Sequence, residues 1–110
     1  MDFEALRDEA TELLRALLRV DTSNPPGHET PAAELLRDNL EANGVACELI
    51  ARDPDRANLV ARIPGSGSGP SLMLIGHTDV VPADASDWTH RRLRACSTRT
   101  DMSGAGGRAT

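Results

Sequence analysis

Apolar residues recur along this chain with one period, then another, and then none, and each change marks a change of element. Phe3, Leu6, Ala10, Leu13, Leu14, Leu17, Leu18 and Val20 return at helical spacing, while Glu4, Arg7, Asp8, Glu12, Arg15 and Arg19 fill the other face. One amphipathic helix is predicted there. Asp21 to Gly27 ends it, because two prolines and a glycine cannot continue a helix, and Asn24 before proline is pushed towards extended geometry. A second helix is predicted from Thr30, an N-cap with Pro31 at the first helical position, to Gly44 at the C-cap position. Ala33, Leu36, Leu40 and Val45 mark its buried side.

Two strands follow, Ala46 to Ala51 and Asn58 to Ile63, joined by Arg52-Asp53-Pro54-Asp55-Arg56. Gly65-Ser66-Gly67-Ser68-Gly69 then leads as a flexible turn into Leu72 to Ile75, an unbroken apolar run bounded by Pro70 and Gly76. Such a run predicts a strand covered on both faces, central in its sheet. The glycine-rich turn is no phosphate loop, since no helix start follows it. Helix, helix and three strands make an α/β fold class, with no internal repeat.

Charge and cysteine use narrow the function. The 110 residues carry a net charge of −5, and the main part of the chain shows no clustered positive charge, so no nucleic-acid partner is expected. No apolar run approaches the ~20 residues of a membrane span, and the amphipathic, acidic start has no signal-peptide layout. No membrane partner and a cytoplasmic location are the expectation. Cys47 and Cys96 are far apart and form no Cys-x-x-Cys, which suggests neither a disulfide framework nor a structural zinc knot. All basic residues are arginine, the bias of a GC-rich coding sequence.

The candidate chemistry sits where the apolar run ends, in Gly76-His77-Thr78-Asp79-Val80-Val81-Pro82. An open α/β sheet binds its ligands outside the carboxyl ends of its strands. Residues i and i+2 of an extended segment point the same way, so Asp79 can accept a hydrogen bond from one ring nitrogen of His77. The other nitrogen is then a fixed, more basic lone pair, the usual support of a metal-bound histidine. His77 is a candidate metal ligand and Asp79 the acid that orients it. On the residues alone, Asp79 as a turn cap and His77 as a structural histidine stay open. His28, in a Gly-His-Glu loop, and His90 read as surface histidines.

Four blocks in order carry a resemblance to a known family: Leu17 to Gly27 (Leu-Leu-Arg-Val-Asp-Thr-Ser-Asn-Pro-Pro-Gly), Asn58 to Arg62, Gly76 to Pro82, and Asp87-Trp88-Thr89-His90. The chain resembles the N-terminal part of the M20 family of metal-dependent amidohydrolases, which spans aminoacylases, deacetylases, desuccinylases and carboxypeptidases. The resemblance implies the opening of a three-layer α/β/α zinc-peptidase-like catalytic domain, with two zinc ions in the intact enzyme and a smaller inserted domain used for dimerisation. It implies cleavage of amide bonds of N-acyl amino acids or small peptides. By position His77 looks like a ligand of one zinc and Asp79 like its orienting, catalytic acid.

After His90 the pattern breaks. Arg91, Arg92, Arg94, Arg99 and Arg108 appear with Asp101 as the sole acid, and hydrophobic periodicity disappears. The family would continue with Pro-Pro, a short strand and a Gly-Arg-Gly block whose aspartate bridges the metals. With GC-rich codons, skipping the first two bases of the Arg91 codon restores Gly-Tyr-Val-Trp-Gly-Arg-Gly-Ala and, one residue on, Asp. Residues 1–90 are therefore expected to be a partial catalytic domain and residues 91–110 a disordered, out-of-frame tail. With one secure ligand, the chain is expected to bind at most one zinc weakly and to hydrolyse nothing appreciably. The alternative is a non-enzymatic α/β module whose basic tail recruits a partner.

Overall fold

The computed structural model describes residues 1–88 and the backbone of 96–97 and 102–103. These residues divide into two compact units, one of residues 27–79 and one of residues 1–26 with the chain from Val80 onward.

In the unit of residues 27–79, helix α2 (Thr30–Ala42) packs on an antiparallel pair of strands, β1 (Cys47–Ile50) and β2 (Asn58–Ala61). The register sets Cys47 opposite Ala61, Glu48 opposite Val60, Leu49 opposite Leu59 and Ile50 opposite Asn58. Because side chains alternate across a strand, Cys47, Leu49 and Leu59 share one face and are half-buried, whereas Ile50 and Val60 lie on the other and are about half exposed. Both strands fall inside the expected ranges. Both are shorter than expected.

The ends of α2 show why it starts and stops where it does. Thr30 does not cap the helix, as its sequence position suggests; it is the first helical residue, and Glu29 stands at the cap without a side-chain cap bond. The Thr30 hydroxyl is used elsewhere. It donates to the Pro54 carbonyl at 2.6 Å and accepts the Ala57 N–H at 2.9 Å, while the Thr30 N–H donates to the Asp55 carbonyl at 3.1 Å. Three bonds thus tie the start of α2 to the β1–β2 connection. At the other end Gly44 has φ +79, its N–H reaches the Glu41 carbonyl at 2.9 Å, and the Val45 N–H reaches Leu40 at 2.9 Å. This paired closure needs a left-handed residue just past the cap, which glycine adopts without a Cβ clash.

In the unit that holds both chain ends, α1 (Phe3–Arg19) is capped by Asp2, whose carboxylate accepts the N–H groups of Glu4 and Ala5 at 3.0 and 3.1 Å. Leu13, Leu17 and Leu18 are half-buried, but Phe3, Leu6 and Leu14 are 73, 49 and 46% exposed. After the helix, Ser23 and Val80 form a single parallel bridge, with the Asn24 N–H on the Val80 carbonyl at 2.8 Å and the Val80 N–H on Thr22 at 3.1 Å. A 3-10 turn follows at Ala85–Asp87, capped by the Asp84 carboxylate. Two short antiparallel strands, β3 (Cys96–Ser97) and β4 (Met102–Ser103), pair with each other. The remainder of the expected tail, residues 91–110, lies outside the described residues, as does His90.

The α/β character is as expected, with two α-helices and two separate two-stranded antiparallel sheets among the described residues. The third strand is not there. Leu72 to Ile75 form no ladder and are 84, 77, 86 and 84% exposed. A strand destined for the middle of a sheet needs a neighbour on each edge and a layer on each face, and the described residues supply none of these to it. The buried hydrophobic residues among those described are all alanines, Ala32, Ala33 and Ala57.

Candidate functional site

His77 and Asp79 meet as their spacing predicts. The ring Nδ1 lies 2.9 Å from Asp79 Oδ1 and 2.9 Å from the Asp79 main-chain oxygen. A carbonyl oxygen only accepts, and so does an ionised carboxylate, so Nδ1 carries the hydrogen and donates to both. That choice of tautomer leaves Nε2 as the lone-pair nitrogen. The imidazole is 84% exposed and the Asp79 side chain 35%.

Both residues line a cleft of about 690 Å³ in the unit of residues 27–79. Its opposite lining includes Leu36 of α2, Leu59 of β2, and an ion pair that sequence inspection misses. Glu29 is buried and takes two bonds from Arg56, Nη2 to Oε1 at 2.8 Å and Nε to Oε2 at 3.1 Å. This bidentate fit matches the planar guanidinium to the carboxylate. The Arg56 hydrogen bonds hold the Glu29 carboxyl below its ordinary value, against burial and the nearby negative charge of Asp79, which push it up. The same bonds, with the Glu29 charge, raise Arg56.

Gly27 leaves room for the pair. Its φ is +90, and a Cβ there would stand 2.7 Å from Arg56 Nε and 3.0 Å from Glu29 Oε1. Glu29 and Arg56 are 27 positions apart, so no local spacing announces them. Gly27 in the Pro-Pro-Gly turn is the one sequence signal near them. His28 is, as expected, a surface residue, its Nδ1 3.7 Å from Asp55 Oδ2.

A zinc site in a protein is almost always built from four ligands, or from three and a water. Among the described residues no three of His, Cys, Asp and Glu gather to hold a metal ion. One braced imidazole is a fraction of such a set. The donor set among the described residues therefore does not fit a complete zinc site.

No family model matches the chain. Among curated proteins it is similar to a probable succinyl-diaminopimelate desuccinylase of Staphylococcus epidermidis, 41% identical over 78 residues that cover 70% of this chain and 18% of the relative. The succinyl-diaminopimelate desuccinylase of Methylobacterium radiotolerans is 37% identical over 87 residues, 76% of this chain and 21% of that one. That of Delftia acidovorans is 40% identical over 75 residues, 64% and 19% of the two chains. The chain thus spans about one fifth of the length of the curated relatives it matches. Agreement at this level over some seven-tenths of the sequence means that the chain, as far as it extends, belongs to the M20 family of hydrolases.

Proposed function

We propose that the chain is the N-terminal piece of a zinc-dependent M20-type amidohydrolase or peptidase that cleaves amide bonds of N-acyl amino acids or small peptides. In this reading His77 is a ligand of one zinc through Nε2, and Asp79 fixes the ring and its tautomer. The similarity to desuccinylases makes an N-succinyl amino acid the first substrate to try. The observation that carries the reading is the double acceptance of the His77 Nδ1 hydrogen by Asp79 at 2.9 Å, which commits the other nitrogen to lone-pair chemistry.

The polypeptide as written is proposed to be inactive, since one ligand cannot hold a catalytic zinc. Residues 91–110 are proposed to be read out of frame. Sequencing the locus tests that idea directly, and an uninterrupted frame with other codons would refute it.

Calorimetric titration of the purified chain with zinc, alongside an assay on N-succinyl-diaminopimelate, tests the rest. The expected outcome is at most one weakly bound ion, lost in His77→Ala, and no hydrolysis. Zinc-dependent release of the amino acid would overturn the inactive reading. Absence of any zinc binding would favour a non-enzymatic module in which His77 and Asp79 are structural.

A further inference from the structure

Two acids that line the cleft of the 27–79 unit act on one guanidinium. Glu29 holds Arg56 by two bonds, at 2.8 and 3.1 Å, whereas the Asp79 carboxylate accepts from the His77 ring. The Asp79 charge still favours the Arg56 cation, and does so more than that of Asp53, three positions from Arg56 in the chain. The Arg56 side chain is 41% exposed and that of Asp79 35%, so packing alone fixes neither.

We propose that Glu29 is a positioning residue for His77: by occupying Arg56, it keeps that guanidinium from drawing the Asp79 carboxylate off the imidazole. A hydrogen bond between two ions is roughly twice as strong as one between neutral groups. In a neutral ring Nδ1–H is an uncharged donor, so a released guanidinium outcompetes it for an Asp79 oxygen.

Glu29 wins Arg56 by geometry as well as by charge. It is buried, and its two oxygens meet Nε and Nη2 side by side, a fork-to-fork fit that a turn towards Asp79 would break. Once the Glu29 charge is gone, Asp53 and Asp79 are the acids left in the cleft lining. The Asp53 carboxylate already accepts the Asp55 N–H at 3.0 Å, and its charge acts on Arg56 less than that of Asp79. Asp79 turned towards Arg56 leaves the Nδ1 hydrogen to the main-chain carbonyl alone, and hydrogen then shifts to Nε2, the nitrogen whose lone pair the ligand role needs. The position of that hydrogen can be read without an ion, so its outcome is separate from that of the zinc reading.

Nitrogen-15 shifts of the His77 ring in the full chain test it, assigned by their loss in His77→Ala. They are measured with a chelator present, at about pH 8.5, where an ordinary imidazole is neutral. The expected result is hydrogen on Nδ1 in the unaltered chain and a change of about fivefold or more towards Nε2–H in Glu29→Gln. Arg56→Gln and the Glu29→Gln, Arg56→Gln double variant should keep the original ratio. Both single variants break the ion pair, but only Glu29→Gln sets the competitor free. Should Glu29→Gln lose its helical circular dichroism, Glu29→Asp, which keeps the charge but shortens the reach, takes its place with a smaller shift in the same direction. Equal shifts in the Glu29 and Arg56 single variants, which would mean that the pair only supports the fold, overturn the proposal. So does a ratio unmoved by the Glu29 change, or a double variant as shifted as Glu29→Gln.

Discussion

At His77, two acceptors on one residue share the ring Nδ1 hydrogen. The Asp79 carboxylate and carbonyl both lie 2.9 Å from Nδ1, so removing the carboxylate's charge weakens one of the two bonds that hold the ring. Asp79→Asn is expected to weaken zinc binding by about 10–100-fold, the usual effect of losing a ligand's supporting partner, and calorimetric titration beside His77→Ala measures it. Unchanged affinity in Asp79→Asn would mean that the acid orients nothing. This pair was legible in the sequence because it is local: spacing i, i+2 needs no tertiary information. Glu29 and Arg56 were not legible, because their meeting depends on the β1–β2 connection folding back to the start of α2.

That fold-back is an element-scale feature with a pH signature. The Arg56 hydrogen bonds keep the folded Glu29 below its ordinary 4.5, so the unfolded chain binds the Glu29 proton more tightly than the folded one. Stability from this group is complete above about pH 4.5 and is lost as the pH falls through the lowered folded value. Thermal unfolding of the full chain should therefore weaken more steeply below pH 4.5 than that of Glu29→Gln, which should already be the less stable of the two at neutral pH. Parallel pH profiles would remove the ion pair from the account. Among elements, α1, α2, β1 and β2 follow from apolar periodicity and the turn residues between them. The Leu72–Ile75 strand does not, because apolar content shows that a segment wants burial but not whether neighbours exist to bury it.

For the whole molecule, burial of side chains decides how sharply it unfolds. Full burial of a leucine-sized side chain contributes about 1.5–3 kcal/mol, yet no large side chain among the described residues is fully buried. Leu36, Leu40, Leu49 and Leu59 are only half-covered. Urea unfolding followed by far-ultraviolet circular dichroism is accordingly expected to be broad, with a slope below the roughly 1–3 kcal/mol/M of small proteins. A steep transition within that range would contradict it. The M20 blocks, legible from four short stretches, identify the lineage of the sequence. They do not supply the layers that a catalytic domain places around its central strand.

Gly27 carries a last consequence. The tightest charged contact around the cleft is specified in part by a residue that has no side chain, since a Cβ there would stand 2.7 Å from Arg56 Nε and force the guanidinium to shift. Charge-preserving variation at this one position could therefore undo an electrostatic lock without altering either of the ions that form it.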